Sequence, residues 1–199
     1  MFLTLEGVDG AGKTTQARLL REHFERDGRE VMTVREPGGT DLGEGLRRIL
    51  LDPQSGDLAP EVELLLFMAA RAQLCRLKLQ PALDAGKVVI SDRFLWSSVV
   101  YQGIVGGVGI DEALTVGRVA TRGLEPDLTF LIDVDPSAAH ARLDDADRME
   151  QRGLEFQRQV RAGFLALAER FPQSIVLIDG SGSVEQVHER VVAALADGS

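Results

Sequence analysis

Apolar residues along this 199-residue chain alternate between two textures. Five short runs, "FLTLE" (2–6), "VMTVR" (31–35), "VVISD" (88–92), "LTFLIDV" (128–134) and "SIVLID" (174–179), are rich in β-branched and aliphatic residues and nearly continuous in apolar character. A strand covered on one face alternates; a near-continuous run fits a parallel strand covered on both. Longer stretches of helical period fall between them, at about 13–26, 43–51, 61–84, 97–122 with a break near "GGVG", 136–143, 153–171 and 183–196. The alternation predicts an α/β fold, a five-stranded parallel sheet flanked by helices on both faces in three layers. One domain is expected over 1–199, without repeats, low-complexity tracts or long linkers. Ligands of such sheets bind beyond the carboxyl ends of the strands, here near Glu6-Gly7, Arg35-Glu36, Asp92-Arg93 and Asp133-Asp135. The charged, weakly patterned segment at about 142–152 is the expected lid.

The first strand runs into "GVDGAGKTTQ" (7–16), which fits the phosphate-loop pattern G-x-x-x-x-G-K-[ST] in its proper strand–loop–helix context. Gly7, Val8, Asp9, Gly10, Ala11 and Gly12 are candidates to surround a phosphate with backbone N–H groups, and Thr15 continues into the helix. The positive end of that helix adds to the anion site. Lys13 would reach the β- and γ-phosphates of a nucleotide, and the Thr14 hydroxyl would ligate Mg²⁺. Asp9 is out of place in an anion cradle, and its purpose is an open question at this point.

Composition narrows the partners. A net charge of -9 argues against a general binder of nucleic-acid polymers or of membrane surfaces, both of which need a basic face. Lysine occurs only at 13, 78 and 87, so nearly all cationic chemistry falls to arginine, whose planar fork suits phosphate. The lone Cys75 has no intrachain partner and lies in a helical pattern, which fits a packed thiol in a reducing cytoplasm. No apolar run reaches transmembrane length, and the start of the chain lacks the pattern of a signal peptide.

The kind of phosphate-loop protein follows from the other motifs. A GTPase needs an asparagine for guanine recognition, and the chain has none. The strand "VVISDR" ends in one carboxylate, Asp92, suited to Mg²⁺ or to Lys13. Arg93 comes next, suited to the spread charge of a phosphoryl group in flight. These features indicate a nucleotide-dependent kinase of small molecules and leave its acceptor undefined.

In order and spacing, "EGVDGAGKTT", "REPGGT", "LLFMAARAQL", "SDRFLWSSVVYQG", "PDLTFLIDV" and "DRMEQRGLEF" resemble the thymidylate (dTMP) kinase family, from near residue 5 to near residue 165. The resemblance implies transfer of a phosphoryl group from Mg·ATP to dTMP, with ATP and dTMP as small-molecule partners and a homodimer as the assembly. It places Asp9 against the 3′-hydroxyl of the acceptor sugar, which would answer the question of its purpose. It implies that Glu36 lies near the acceptor phosphate and metal, and that Arg47 contacts that phosphate. Phe67 would stack on thymine and Arg71 would bond a base carbonyl; the two are four residues apart on one helix face. By periodicity alone Phe67 is a core residue. Ser98 and Gln102 would approach the base, Tyr101 would pack under the sugar, and Arg93 would span donor and acceptor phosphates. Arg142 and Arg148 match lid positions, with Arg152 a further candidate and Arg148 placed with Lys13, Arg93 and Asp9 as catalytic. Residues 179–187 lie where the family often contacts adenine.

Phe94 and Trp96 depart from the family pattern, and the lid is short and carries the acidic run "DDAD". A kinase of the same fold acting on UMP, CMP or a deoxynucleoside, and a non-catalytic ATP-binding switch, remain the alternatives.

Overall fold

The computed structural model describes residues 1–142 and 148–197. Its strands are β1 (Phe2–Glu6), β2 (Val31–Arg35), β3 (Val88–Asp92), β4 (Leu128–Asp133) and β5 (Ile175–Asp179). All pair in parallel, in the order β2-β3-β1-β4-β5. Every residue of β1 and β3 is buried, whereas the edge strands β2 and β5 are partly exposed. That gradient explains the continuous apolar runs at the centre of the sheet.

The helices are α1 (Lys13–Arg26), α2 (Asp41–Leu51), α3 (Pro60–Leu74), α4 (Gln80–Asp84), α5 (Leu95–Ser98), α6 (Ile110–Thr121), α7 (Pro136–His140), α8 (Gly153–Arg170) and α9 (Val184–Asp197). The helix expected at 61–84 is α3 and α4 joined by a π-helical segment, Cys75–Leu79, and a second such segment, Val99–Val105, follows α5. Such widened turns are frequent at functional sites, and the second one carries Tyr101 and Gln102. The expected break near "GGVG" is present between Val105 and Ile110. Of the expected lid, residues 143–147 with the acidic run lie outside the described residues.

The main core joins Leu3, Leu5, Ile90, Phe130 and Ile132 of the sheet to helix residues such as Leu20, Val160 and Phe164. A smaller cluster gathers Phe2, Val89 and Phe94 with Leu74, Cys75 and Leu79. Phe94 sits there edge-on to Phe2, its centroid 5.0 Å away. Trp96 packs on Phe171 instead. Cys75 is buried, and burial pushes its thiol up to about 12, so it is the packed thiol the sequence predicts.

Candidate functional site

The carboxyl ends of β1 and β3 and the loop 7–12 open into a cavity of about 700 Å³. The loop needs glycine where it turns left-handed: Gly10 has φ 76°, and a Cβ there would run into the Ala139 carbonyl. Gly12, at φ 91°, precedes α1, and no side chain caps that helix. By contrast α2 is capped by Thr40, whose hydroxyl accepts from the Gly43 N–H at 3.0 Å. The first amides of α1 therefore have no side chain across them, at an end that lines the cavity; that arrangement binds anions.

Lys13 folds back over the loop, its Nζ donating to the carbonyls of Val8 at 2.7 Å and Gly7 at 3.2 Å. Burial and then the nearby Arg93 charge bring its pKa down to about 8, while Asp92, Asp9 and Glu6 pull the other way. Thr14 Oγ1 donates to Asp92 Oδ2 at 2.5 Å, which spends the hydroxyl proton and leaves its lone pairs for a cation. Thr14 and Asp92 both line the cavity and offer hard oxygen donors, which suits Mg²⁺. No cluster of three or more acidic, histidine or cysteine side chains able to hold a metal exists among the described residues, so such an ion would take its other ligands from phosphate and water.

Arg93 occupies the junction. It has φ 71°, a left-handed backbone unusual for a residue with a side chain, immediately after β3. Its guanidinium donates to the Gly7 carbonyl at 3.0 Å, to Ser97 Oγ at 2.9 Å and to Asp9 Oδ1 at 2.5 Å. Asp9 Oδ2 also accepts from Tyr101 at 3.2 Å and from Gln157 Nε2 at 2.9 Å. Burial pushes the Asp9 carboxyl up, but Arg93, Lys13 and the Gln157 bond outweigh it and leave it below its ordinary value. Burial works against the Arg93 cation, yet Tyr101, Asp9, Glu6 and Asp92 hold its pKa above the usual arginine range. Behind it Glu6 is fully buried, and its carboxylate accepts from the N–H groups of Phe94 and Ser97 and from Ser97 Oγ. That network ties the turn after β3 to β1.

The far end of the cavity is assembled from α2, α3, α5 and the segment after it. Phe67, Arg71, Ser98, Tyr101 and Gln102 line it together. Arg71 is 1% exposed; it pairs with Glu36 at 2.7 Å and donates to Ser98 Oγ at 3.1 Å and to the Phe94 carbonyl at 2.9 Å. Burial brings the Glu36 carboxyl up to about 7 against the pull of Arg71, and its Oε1 has no partner among the described residues. Arg47 donates to the Pro37 carbonyl at 2.9 Å, and both residues line the cavity.

The candidate arginines of the lid part company. Arg142 lines the cavity and reaches the Gly10 carbonyl at 3.4 Å. Arg148 is 7% exposed, pairs with Glu63 at 2.7 Å and donates to the Leu50 carbonyl at 2.8 Å, so it is directed into the protein rather than along the cavity wall. Arg152 pairs with the same Glu63. Gly180, Gly182, Ser183, Val184 and Val187 form the wall beyond Thr15 and Gln16, where the adenine contact was expected.

Glu63 and Gln157 have no role in the sequence reading, and Glu6 and the cavity-lining Arg35 enter it only as strand-end positions. The acidic residues read as strand-end or solvent-facing helix positions. One usable signal existed: Glu63 precedes Phe67 by four residues and so shares its helix face.

The sequence profile of the thymidylate kinase family matches residues 5–191. A thymidylate kinase of Caldanaerobacter subterraneus subsp. tengcongensis is 46% identical over 198 residues, covering 98% of this chain and 95% of that one. One from Kosmotoga olearia is 48% identical over 195 residues, covering 96% and 93%. The crystal structure of thymidylate kinase from Ehrlichia chaffeensis superposes with a TM-score of 0.82 at 33% identity, covering 98% of both chains. With a phosphate loop, a basic junction and an aromatic-arginine pocket in one cavity, and with these relatives along nearly its whole length, the chain belongs to the thymidylate kinase family.

Proposed function

We propose that this ATP:dTMP phosphotransferase moves the terminal phosphoryl of ATP directly and in line onto the phosphate of dTMP, without a covalent enzyme intermediate, yielding ADP and dTDP. The observation that supports it most is a single continuous cavity in which Arg93 stands between the phosphate loop and the Phe67–Arg71 pocket. Mg²⁺, held beside the phosphates by Thr14 and Asp92, would neutralise charge on the donor.

The protein's share is positioning and charge. The loop amides and the open end of α1 hold the donor phosphates. Lys13, whose Nζ donates to the loop carbonyls of Gly7 and Val8, turns to the phosphates as they enter. Arg93 supplies a fixed cation where negative charge spreads during transfer. Asp9, kept ionised, holds Arg93 and accepts from the sugar hydroxyl, while Tyr101 closes the floor. Phe67 stacks on the base, Arg71 donates to its carbonyl beside Ser98 and Gln102, and Arg47 and Glu36 face the acceptor phosphate. That phosphate is largely ionised near neutral pH, so it attacks without a dedicated general base. Arg142 is already on the cavity wall; Arg148 would have to leave Glu63 to reach a phosphate.

A cytoplasmic homodimer belongs to the same proposal. Leu65, Leu77 and Val119 are exposed on α3, the π-helical segment after it and α6, a surface suited to a second copy. No helix among the described residues is long and apolar enough to cross a membrane.

The test is ADP release from Mg·ATP with dTMP, UMP, CMP, AMP, thymidine or no acceptor. Release with dTMP far above all others is expected. Release with another acceptor would keep the phosphate chemistry and overturn the base pocket; ATP binding without release with any acceptor would favour a switch.

A further inference from the structure

We propose that Glu63 is the positioning residue that decides which hydrogen-bonding edge of the acceptor base is admitted, by locking the orientation of the Gln102 side-chain amide. The assignment rests on the acceptor pocket proposed above and goes beyond it to a residue outside the cavity wall.

In "EVELLLF" a glutamate among leucines reads as a solvated helix position, yet Glu63 is 1% exposed. Burying a carboxylate costs several kcal/mol unless it is paired and hydrogen-bonded. Here one oxygen takes Arg148 at 2.7 Å and also Arg152, and the other accepts from Gln102 Nε2 at 3.0 Å. None of these contacts joins α3 to a sequence neighbour, so the arrangement is built for the groups it holds.

A carboxylate paired with two guanidiniums offers only acceptor oxygens. It therefore compels Gln102 to turn its nitrogen toward α3 and its oxygen away. That oxygen is buried and has no partner among the described residues, on a residue that lines the cavity beside Arg71. A buried acceptor of this kind awaits a donor. On entry of the acceptor base, that oxygen and the neighbouring Arg71, both closed to water in this structure, would offer it one acceptor and one donor. A 2,4-dioxopyrimidine complements that pair with its N3–H and its 4-carbonyl. Cytosine presents the reverse, a bare N3 and a 4-amino group, and would leave acceptor facing acceptor. An amide at 63 would remove the compulsion, because it donates as well as accepts and lets Gln102 turn over.

The experiment measures kcat/KM for dTMP and for dCMP in the wild type, Glu63→Gln, Glu63→Asp, Gln102→Leu and Glu63→Gln/Gln102→Leu, with a thermal melt of each. In Glu63→Gln the dTMP-over-dCMP preference is expected to fall about tenfold, the scale of one misplaced buried hydrogen bond, with the change mainly in the two KM values. Glu63→Asp keeps a charge for Arg148 and Arg152 but withdraws it from Gln102 by one methylene, so it should lower the preference by less; it also keeps the test alive if the Gln variant does not fold. In the Gln102→Leu background Glu63→Gln should change the preference no further, because its effect runs through Gln102. An equal loss on both acceptors, or a further shift in the Gln102→Leu background, would overturn the assignment and leave Glu63 a purely structural ion-pair residue. A wild type that does not prefer dTMP would instead sink the acceptor pocket itself, and this proposal with it.

Discussion

The two ends of the cavity are built by different means. The proposed donor end is contiguous: residues 7–15 supply a glycine loop and a helix start, completed by Asp92 and Arg93 at the end of the neighbouring strand. Backbone amides carry much of it, so its chemistry is generic to phosphate. The proposed acceptor end draws side chains from α2, α3, α5 and the π-helical segment after it, fixed by ion pairs of buried carboxylates, Glu36 with Arg71 and Glu63 with Arg148 and Arg152. An anion is recognised by charge and open amides, whereas a base needs a flat surface and a specified hydrogen-bonding edge. The second task demands groups from distant parts of the chain, and buried charges to hold them still.

Arg93 tests the comparison most severely, because it belongs to both ends. Replacing it with alanine should reduce kcat by about 10³–10⁵, the range for an arginine that stabilises transferring phosphoryl charge. Steady-state kinetics with both nucleotides saturating give the number. A variant with near-normal kcat and a raised KM for dTMP would place Arg93 wholly in the acceptor pocket and dissolve the junction.

Phe67→Ala should produce a smaller and one-sided effect. Stacking of a base on an aromatic ring contributes about 1–3 kcal/mol, so KM for dTMP should rise about ten- to a hundredfold, with kcat changed by a few-fold and KM for ATP unmoved. Product-release assays varying each nucleotide separately resolve the two constants. A matched rise in the KM for ATP would mean that the ends do not act independently.

The same contrast governs what the sequence discloses. All five strands are legible to within a residue or so, the central ones because strands buried on both faces need continuous apolar runs and the edge ones from their β-branched and aliphatic residues. The phosphate loop is legible because its spacing is local. The widened turns at Cys75–Leu79 and Val99–Val105 leave no local signature; tertiary packing selects them over an ordinary helix. Glu63 and Gln157 escape notice because each acquires its purpose from partners far along the chain, Gln102 and Arg148 for the first and Asp9 for the second. The lid arginines show the limit of resemblance: motif spacing nominates Arg142 and Arg148 alike, but only the first lines the cavity. Phe94, a departure from the family pattern, has its ring in the small core against Phe2 and under the Arg71 guanidinium, so it supports the proposed acceptor pocket from behind.

The smallest expected signal is a slope, and it concerns the cost of that buried support. Glu36 has an ordinary value of 4.5 and is brought up to about 7 by burial, despite Arg71. The folded protein therefore holds this proton while the unfolded chain has released it, over the window from 4.5 to about 7. Where the native state binds more protons, stability falls as pH rises. Below 4.5 both states are protonated, and above about 7 both are ionised, so the contribution is flat outside the window. Glu36→Gln has no such proton to lose. Denaturant unfolding of both proteins between pH 4 and pH 8 should then show the wild type losing stability relative to the variant across the window, on top of a constant offset from removing the partner of Arg71. A difference independent of pH would mean that Arg71 holds Glu36 at an ordinary carboxylate value. The acceptor end would then carry its ion pair without a titration cost, and the energetic contrast with the backbone-built donor end would shrink to one of geometry alone.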